Sequence, residues 1–145
     1  MKHFKIYTAG KMAGLSYEEQ MGWRKEIEHL IRQKTEANIT FIHPPAYYRY
    51  DKTEHKSESE VKRWDLNQVK DSDIVIVNLS DIADSIGTHY ELGVIDAMNS
   101  FGYKHIYVIG VGKPNTNHPW IDLTLLRQED NFEDAAEYVV NYLLL

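Results

Sequence analysis

The chain has 145 residues, 43% of them hydrophobic, with 16 basic against 22 acidic side chains and a net charge of −6. That is the size of one ordinary domain, able to bury about 68–70% of its unfolded surface. The acidic balance argues against a binder of nucleic-acid polymers, which would carry a basic face, but leaves room for a small phosphorylated ligand, for which one local anion site suffices. There are no cysteines, so disulfides and thiolate metal sites are excluded, as suits a reducing compartment. The first residues are too polar for a secretory signal and no apolar run approaches membrane-spanning length, so the expectation is one cytoplasmic domain, residues 1–145, with no membrane contact.

In chain order, Phe4 to Ala9 reads as a strand and Ser16 to Arg32 as a helix burying Met21, Trp23, Ile27, Leu30 and Ile31. Ile39 to Ile42 is a second strand. The segment His43 to Glu60 is a long, largely polar loop, a length that often marks a functional lid. Glu58 to Lys70 is a helix presenting Val61, Trp64 and Val69. Ile74 to Leu79 is apolar on both faces, as a central parallel strand requires. Thr88 to Ser100 is a helix burying Leu92, Ile95 and Met98; Ile106 to Val111 is a fourth strand; Leu125 to Gln128 is a short fifth; Phe132 to Leu145 is a last helix.

Strands alternating with helices predict an α/β fold, a three-layer α/β/α sandwich around a mostly parallel sheet. Right-handed crossovers leave few topologies, and the flavodoxin-like order 2-1-3-4-5 is the expected one. Ligands then bind beyond the carboxyl ends of strands 1 and 3, where the strand order reverses. That directs attention to Tyr7–Gly14 and Asn78–Glu91.

The stretch Asp84-Ser85-Ile86-Gly87-Thr88-His89-Tyr90-Glu91 follows the central strand and opens a helix, where backbone N–H groups favour anions. Gly87 permits close backbone approach and Ser85 offers a hydroxyl to a phosphate or sugar oxygen. Glu91 is expected in the first helical turn, where the dipole would keep a carboxylate ionised and nucleophilic. The same Thr88-x-x-Glu91 spacing also fits a capping box, as do Ser16-x-x-Glu19 and Ser57-x-x-Glu60; location at the switch point favours the chemical reading. Asp65 lies between Val61 and Val69 at helical spacing, a carboxylate on a face that should be apolar. Such burial raises a carboxyl pKa and suits proton delivery, unless the helix is rotated or Asp65 is paired. Two carboxyls near one crevice suit glycosyl transfer, one attacking the anomeric carbon and the other protonating the leaving group, about 5–5.5 Å apart. Tyr7 ends strand 1, placed either to orient Glu91 or simply to pack. Tyr47, Tyr48 and Tyr50 offer stacking surface for a base, or ordinary amphipathic surface.

Other motifs fail. Gly110-Val111-Gly112-Lys113 lacks the phosphate-loop spacing, and no G-x-G-x-x-G follows strand 1. The seven histidines form no H-E-x-x-H, so no metal is expected. Strand 3 ends in Asn78, not the aspartate of a phosphoreceiver.

With Lys5-Ile6-Tyr7-Thr8-Ala9-Gly10, Trp64-Asp65-Leu66, Asp71-Ser72-Asp73-Ile74-Val75-Ile76-Val77-Asn78 and Gly87-Thr88-His89-Tyr90-Glu91-Leu92-Gly93, the region Met1 to Gly110 resembles the nucleoside 2-deoxyribosyltransferase family. The resemblance implies a double displacement: Glu91 forms a glycosyl-enzyme intermediate that a second base or water resolves. Tyr7 matches the tyrosine that orients the nucleophile, and Asp65 the aspartate that handles the base and its proton. Gly10, Asp84, Ser85, Gly87, Tyr47 and Asn117 are the substrate-binding candidates, with His118 beside Asn117. The resemblance implies a nucleoside or deoxynucleoside monophosphate substrate, a free nucleobase as second partner, no cofactor, and a homodimer or higher homo-oligomer. Many transferases carry an aspartate six residues before the nucleophile, where this chain has Ser85. Serine there is similar to the related 2′-deoxynucleoside 5′-phosphate N-hydrolases, which also carry a first-loop arginine; Ala13 stands at that position, with Lys11 nearby. Transfer, hydrolysis of a monophosphate and non-catalytic nucleotide sensing are the three readings carried forward.

Overall fold

The computed structural model describes residues 2–47 and 56–145. Within them, five strands form one sheet: β1 (His3–Ala9), β2 (Asn38–Ile42), β3 (Ile74–Asn78), β4 (Tyr107–Val111) and β5 (Arg127–Glu129). Their order is β2-β1-β3-β4-β5, and every pairing is parallel. The flavodoxin-like topology expected from the alternation of elements is the one observed, with a wholly parallel sheet. In register, Tyr7 of β1 stands against Ile42 of β2 and Val75 of β3.

Helices α1 (Tyr17–Lys34) and α5 (Phe132–Tyr138) pack on one face; α2 (Glu58–Lys70), α3 (Ile86–Ser100) and the short α4 (Pro119–Thr124) lie on the other. The two-residue period of the strands divides the core. Ile6, Ile74, Ile76 and Ile109 join Ile27 and Ile31 of α1, while Tyr7, Val75, Val77 and Val108 join Val69, Leu92 and Ile95. Burying each such aliphatic side chain contributes about 1.5–3 kcal/mol.

Local chemistry fixes the helix ends. Ser16 and Glu19 form the anticipated capping box at α1. At α2, Ser57 accepts from the Glu60 amide, while the Glu60 carboxylate reaches back to the Lys56 amide. Helix α3 is terminated just ahead of Gly102, whose φ of +73° allows the Gly102 amide to reach Asn99 O and the Tyr103 amide to reach Met98 O.

Several boundaries differ from expectation. Helix α3 starts at Ile86, so Thr88 is its third residue and no Thr88–Glu91 capping box forms; Ser85 flanks the helix without a side-chain cap bond. Strand β5 begins two residues later and ends one residue later than expected. The last helix changes at Val139–Leu143 to wider π-type winding. The unanticipated α4 is six residues long, too short for a periodic signal. It is held by His118 Nδ1 accepting from the Trp120 amide, Pro119 in the first turn and Thr124 Oγ1 donating to Trp120 O. The long loop is shortened by a 3-10 turn at Pro44–Tyr47; Tyr48 and Tyr50 lie outside the described residues.

Candidate active site

The site is built where β1 and β3 end side by side. Tyr7 belongs to the α2/α3 face of β1 and is fully buried. On α3, Thr88, Glu91, Leu92 and Ile95 form the buried stripe, so helical spacing turns the Glu91 carboxyl into the sheet. Asp65 of α2 is half-buried, and its charge acts on Glu91. The structure thus gathers Tyr7, Asp65 and Glu91 into one electrostatic unit.

Glu91 does not lie in the first turn of its helix; it is the sixth residue of α3. The expectation that the dipole keeps it ionised therefore fails, since that influence fades beyond the terminal turn. Burial dominates instead and pushes the Glu91 pKa up to about 8. Tyr7 opposes this, the Asp65 charge adds to it, and the Arg24 charge opposes it. Among the described residues, Glu91 Oε2 has no hydrogen-bond partner.

Arg24 is the residue that the sequence reading missed. It has no solvent exposure, although it stands in the middle of α1. Its Nε donates to Thr8 O at 3.4 Å, Nη1 to Gln20 O at 2.5 Å and Nη2 to Gly10 O at 3.2 Å. Burial draws its pKa down to about 10, opposed by Tyr7, Glu91 and Asp65, which leaves it protonated at neutral pH. A signal existed: Gln20, Met21, Arg24, Ile27 and Ile31 are the buried positions of α1, so a cation occupies an otherwise mostly apolar stripe.

Gly10 is buried, and its role is legible in space. A Cβ there would stand 2.8 Å from Cζ2 of Trp23, so the turn after β1 closes only over glycine. Ser85 is buried, and its hydroxyl lies 2.6 Å from that of Thr88. Gly87 is exposed, with open space where a side chain would project. Asp84 is exposed and accepts from Asn115 Nδ2 at 3.4 Å, while Asn115 Oδ1 accepts from the Ala83 amide at 2.8 Å. Asn115 therefore ties the β4–α4 loop to the approach to α3, a contact not anticipated. Asn117 is exposed in that loop, and His118 begins α4. Tyr47 is 45% exposed and packs on Trp64 with ring centroids 4.5 Å apart, beside Asp65 in sequence. Lys11 is half-buried and Ala13 exposed.

A second, partly buried chain of hydrogen bonds links α1, β2 and β1. Glu28 Oε1 meets His43 Nε2 at 2.6 Å, and His43 Nδ1 meets Thr8 Oγ1 at 2.7 Å. Burial lowers the His43 pKa, against the opposing pull of Glu28.

A cleft of about 670 Å³ opens between α3 and α4, with Leu92 and Gly93 among its walls and His89, Asp96, His118 and Trp120 around them. Helical spacing puts residues 89, 93 and 96 on a different side of α3 from Thr88, Glu91 and Ile95. The cleft adjoins the carboxyl site through Leu92, and Glu91 is not among its walls.

No family model matches the chain, and no curated protein matches it. Solved structures do. A 2-deoxyribosyltransferase from Bacillus psychrosaccharolyticus superposes with a TM-score of 0.64 at 23% identity, covering 95% of this chain and 91% of that one. A conserved protein from Enterococcus faecalis V583 gives 0.65 at 18% identity, with coverage of 94% and 96%. A 2-desoxiribosyltransferase from Leishmania mexicana gives 0.58 at 16%, with coverage of 97% and 99%. The class defined is thus a flavodoxin-like α/β fold, which the chain shares along nearly its whole length with these proteins.

Proposed function

We propose that this chain is a nucleoside 2-deoxyribosyltransferase-like enzyme that cleaves an N-glycosidic bond through Glu91. One observation carries the reading: a buried carboxyl at the reversal of strand order, with the buried Tyr7 and a second carboxyl, Asp65, both acting on its proton affinity. Helix-terminal anion binding alone does not call for that trio. The fold likeness to two deoxyribosyltransferases supports it.

In the proposed reaction the reactive arrangement has Glu91 ionised and the proton on Asp65. A Glu91 oxygen attacks C1′ of the sugar. The bond from C1′ to the base nitrogen breaks, its electron pair leaves with the base, and Asp65 supplies the proton the base takes up. A glycosyl ester on Glu91 remains. An incoming base nitrogen then attacks C1′, gives its proton to Asp65 and releases the Glu91 carboxylate; water in the same role gives hydrolysis. Tyr7 steadies the carboxylate form.

Hydrolysis of a deoxynucleoside monophosphate is the second reading. It is favoured by Ser85 standing six residues before Glu91, and by Asp84 being engaged with Asn115. Incubation with deoxynucleosides and their 5′-monophosphates, with and without a second free base, separates the cases by chromatography. A new nucleoside identifies transfer. Free base from monophosphates alone, independent of acceptor, identifies hydrolysis. No product from any donor rejects both and leaves a ligand-sensing module.

We extend the proposal to self-association. Ile86 and Tyr90 stand one helical turn apart on the outer side of α3, 72% and 56% exposed, and Trp120 and Leu123 of α4 are also exposed. Sedimentation should give at least twice the 16.9 kDa chain mass; a monomer at micromolar concentration would reject this extension.

A further inference from the structure

We propose that Arg24 is a positioning residue of this site: its guanidinium fork fastens the turn after β1 to α1 and lends a positive charge to Glu91, Asp65 and the Tyr7 hydroxyl. The inference rests on the reading of Glu91 and Asp65 as the reacting pair.

The position is an expensive one for a cation. Met21, Ile27 and Ile31 occupy neighbouring places on the same buried stripe, and an aliphatic residue there would avoid the desolvation that a guanidinium suffers. What the arginine does with its donors is specific. Two of its three acceptors, Thr8 O and Gly10 O, belong to the end of β1 and the turn that follows. The third, Gln20 O, lies one turn back on α1. The fork thereby holds the backbone that carries Tyr7 at a fixed place against α1. Lysine, with a single ammonium, does not span three carbonyls in this way.

Backbone carbonyls do not neutralise a charge. The opposing charge comes from the other side of the sheet end, where Glu91 and Asp65 both act on Arg24, together with Tyr7. The groups that face Glu91 are Tyr7 from β1, Asp65 from α2 and Arg24 from α1. A buried carboxyl under the charge of a half-buried one resists ionisation; a shared cation lets one lose its proton while its neighbour keeps one. Arg24 also acts on His43 at the end of β2, and lowers that group's affinity for a proton.

The test follows the Glu91 carboxyl carbon by NMR in folded, substrate-free protein, as wild type, Arg24→Met and Arg24→Lys, with circular dichroism on the same samples. In Arg24→Met the Glu91 titration midpoint should rise by about one pH unit or more, the size of effect a nearby opposite charge exerts. Arg24→Lys should hold the midpoint more closely yet lose tenfold or more in kcat, because the fork is gone. An unmoved midpoint in folded Arg24→Met, or an unchanged kcat in Arg24→Lys, overturns the proposal. If Arg24→Met does not fold but Glu91→Gln restores its folding, the same coupling has been read as stability; failure in both backgrounds reduces Arg24 to a structural clamp. A moved midpoint without turnover on any nucleoside upholds only the charge coupling between Arg24 and Glu91 and removes the enzymatic reading, and with it the positioning role. Normal turnover with an unmoved midpoint does the reverse.

Discussion

Tyr7 on β1 acts on the Glu91 carboxyl of α3, and after burial itself it is the largest influence on that carboxyl's proton affinity. Tyr7 favours the ionised form; burial and Asp65 favour the protonated one. The free enzyme should therefore show kcat/KM rising with pH along a limb near 8 as Glu91 ionises.

Tyr7→Phe keeps the ring and removes the donor. A hydrogen bond to a charged group contributes about 1.5–3 kcal/mol, so kcat/KM at pH 7 should fall by roughly ten- to a hundredfold. The acid limb should move further upward. A rate–pH profile checks both; an unchanged limb would mean that the phenol only packs.

Glu91→Gln should abolish turnover and stabilise the protein at alkaline pH. The folded pKa of Glu91 is raised from its ordinary 4.5 to about 8, so between those values the folded state holds a proton that the unfolded state has lost. The stabilisation from this group is complete below about 4.5 and lost as pH rises through 8. The loss is on the order of 3–5 kcal/mol. Urea unfolding at pH 5, 7 and 9 should show a decline in wild type that is much flatter in Glu91→Gln.

Gly10→Ala tests the turn after β1. The added methyl would meet the Trp23 ring at 2.8 Å, and ring and turn cannot both stay in place. Overpacking of this kind costs about 1–3 kcal/mol. A lowered melting temperature, with kcat reduced through displacement of the turn, is the expected result; a melt indistinguishable from wild type would show that Trp23 has room to move.

Asn115→Ala removes the acceptor for the Ala83 amide and the donor to Asp84. Both contacts are solvent-exposed, so stability should change by no more than about 1 kcal/mol. If the bridge orders the approach to α3 for substrate, KM should rise several-fold with kcat nearly constant. A fall in kcat alone would point instead to a role in the chemical step.

The order of strands was legible because Ile74–Val77 is apolar on both faces and strands alternate with helices through most of the chain. Glu58–Lys70 emerged with the expected ends because Ser57 and Glu60 mark its start and Val61, Trp64 and Val69 its inner side. Helix α3 began earlier than expected because Ser85 and Thr88 bond each other, leaving the apparent Thr88 cap inside the helix. Asp65 was visible as a carboxylate on an apolar helix face and Glu91 by its place beyond the central strand, but how buried each became depended on neighbouring helices. Arg24 escaped notice because a charged residue in an amphipathic helix ordinarily reaches solvent, and only the carbonyls of Thr8 and Gly10 explain why this one turns inward. Asn115 and α4 depend on contacts between distant segments, which periodicity does not report.

The place of β1 between β2 and β3 has a consequence for how the molecule assembles. As the chain emerges during synthesis, β1 can pair with Asn38–Ile42 early, but its other edge waits until Ile74–Asn78 arrives. Until then a strand bearing the later-buried Tyr7 and Ala9 presents open backbone and apolar surface. Such non-local parallel pairing slows folding and exposes intermediates to aggregation. The seam that carries the chemistry thus closes only across a long stretch of sequence, and refolding yield should depend steeply on protein concentration.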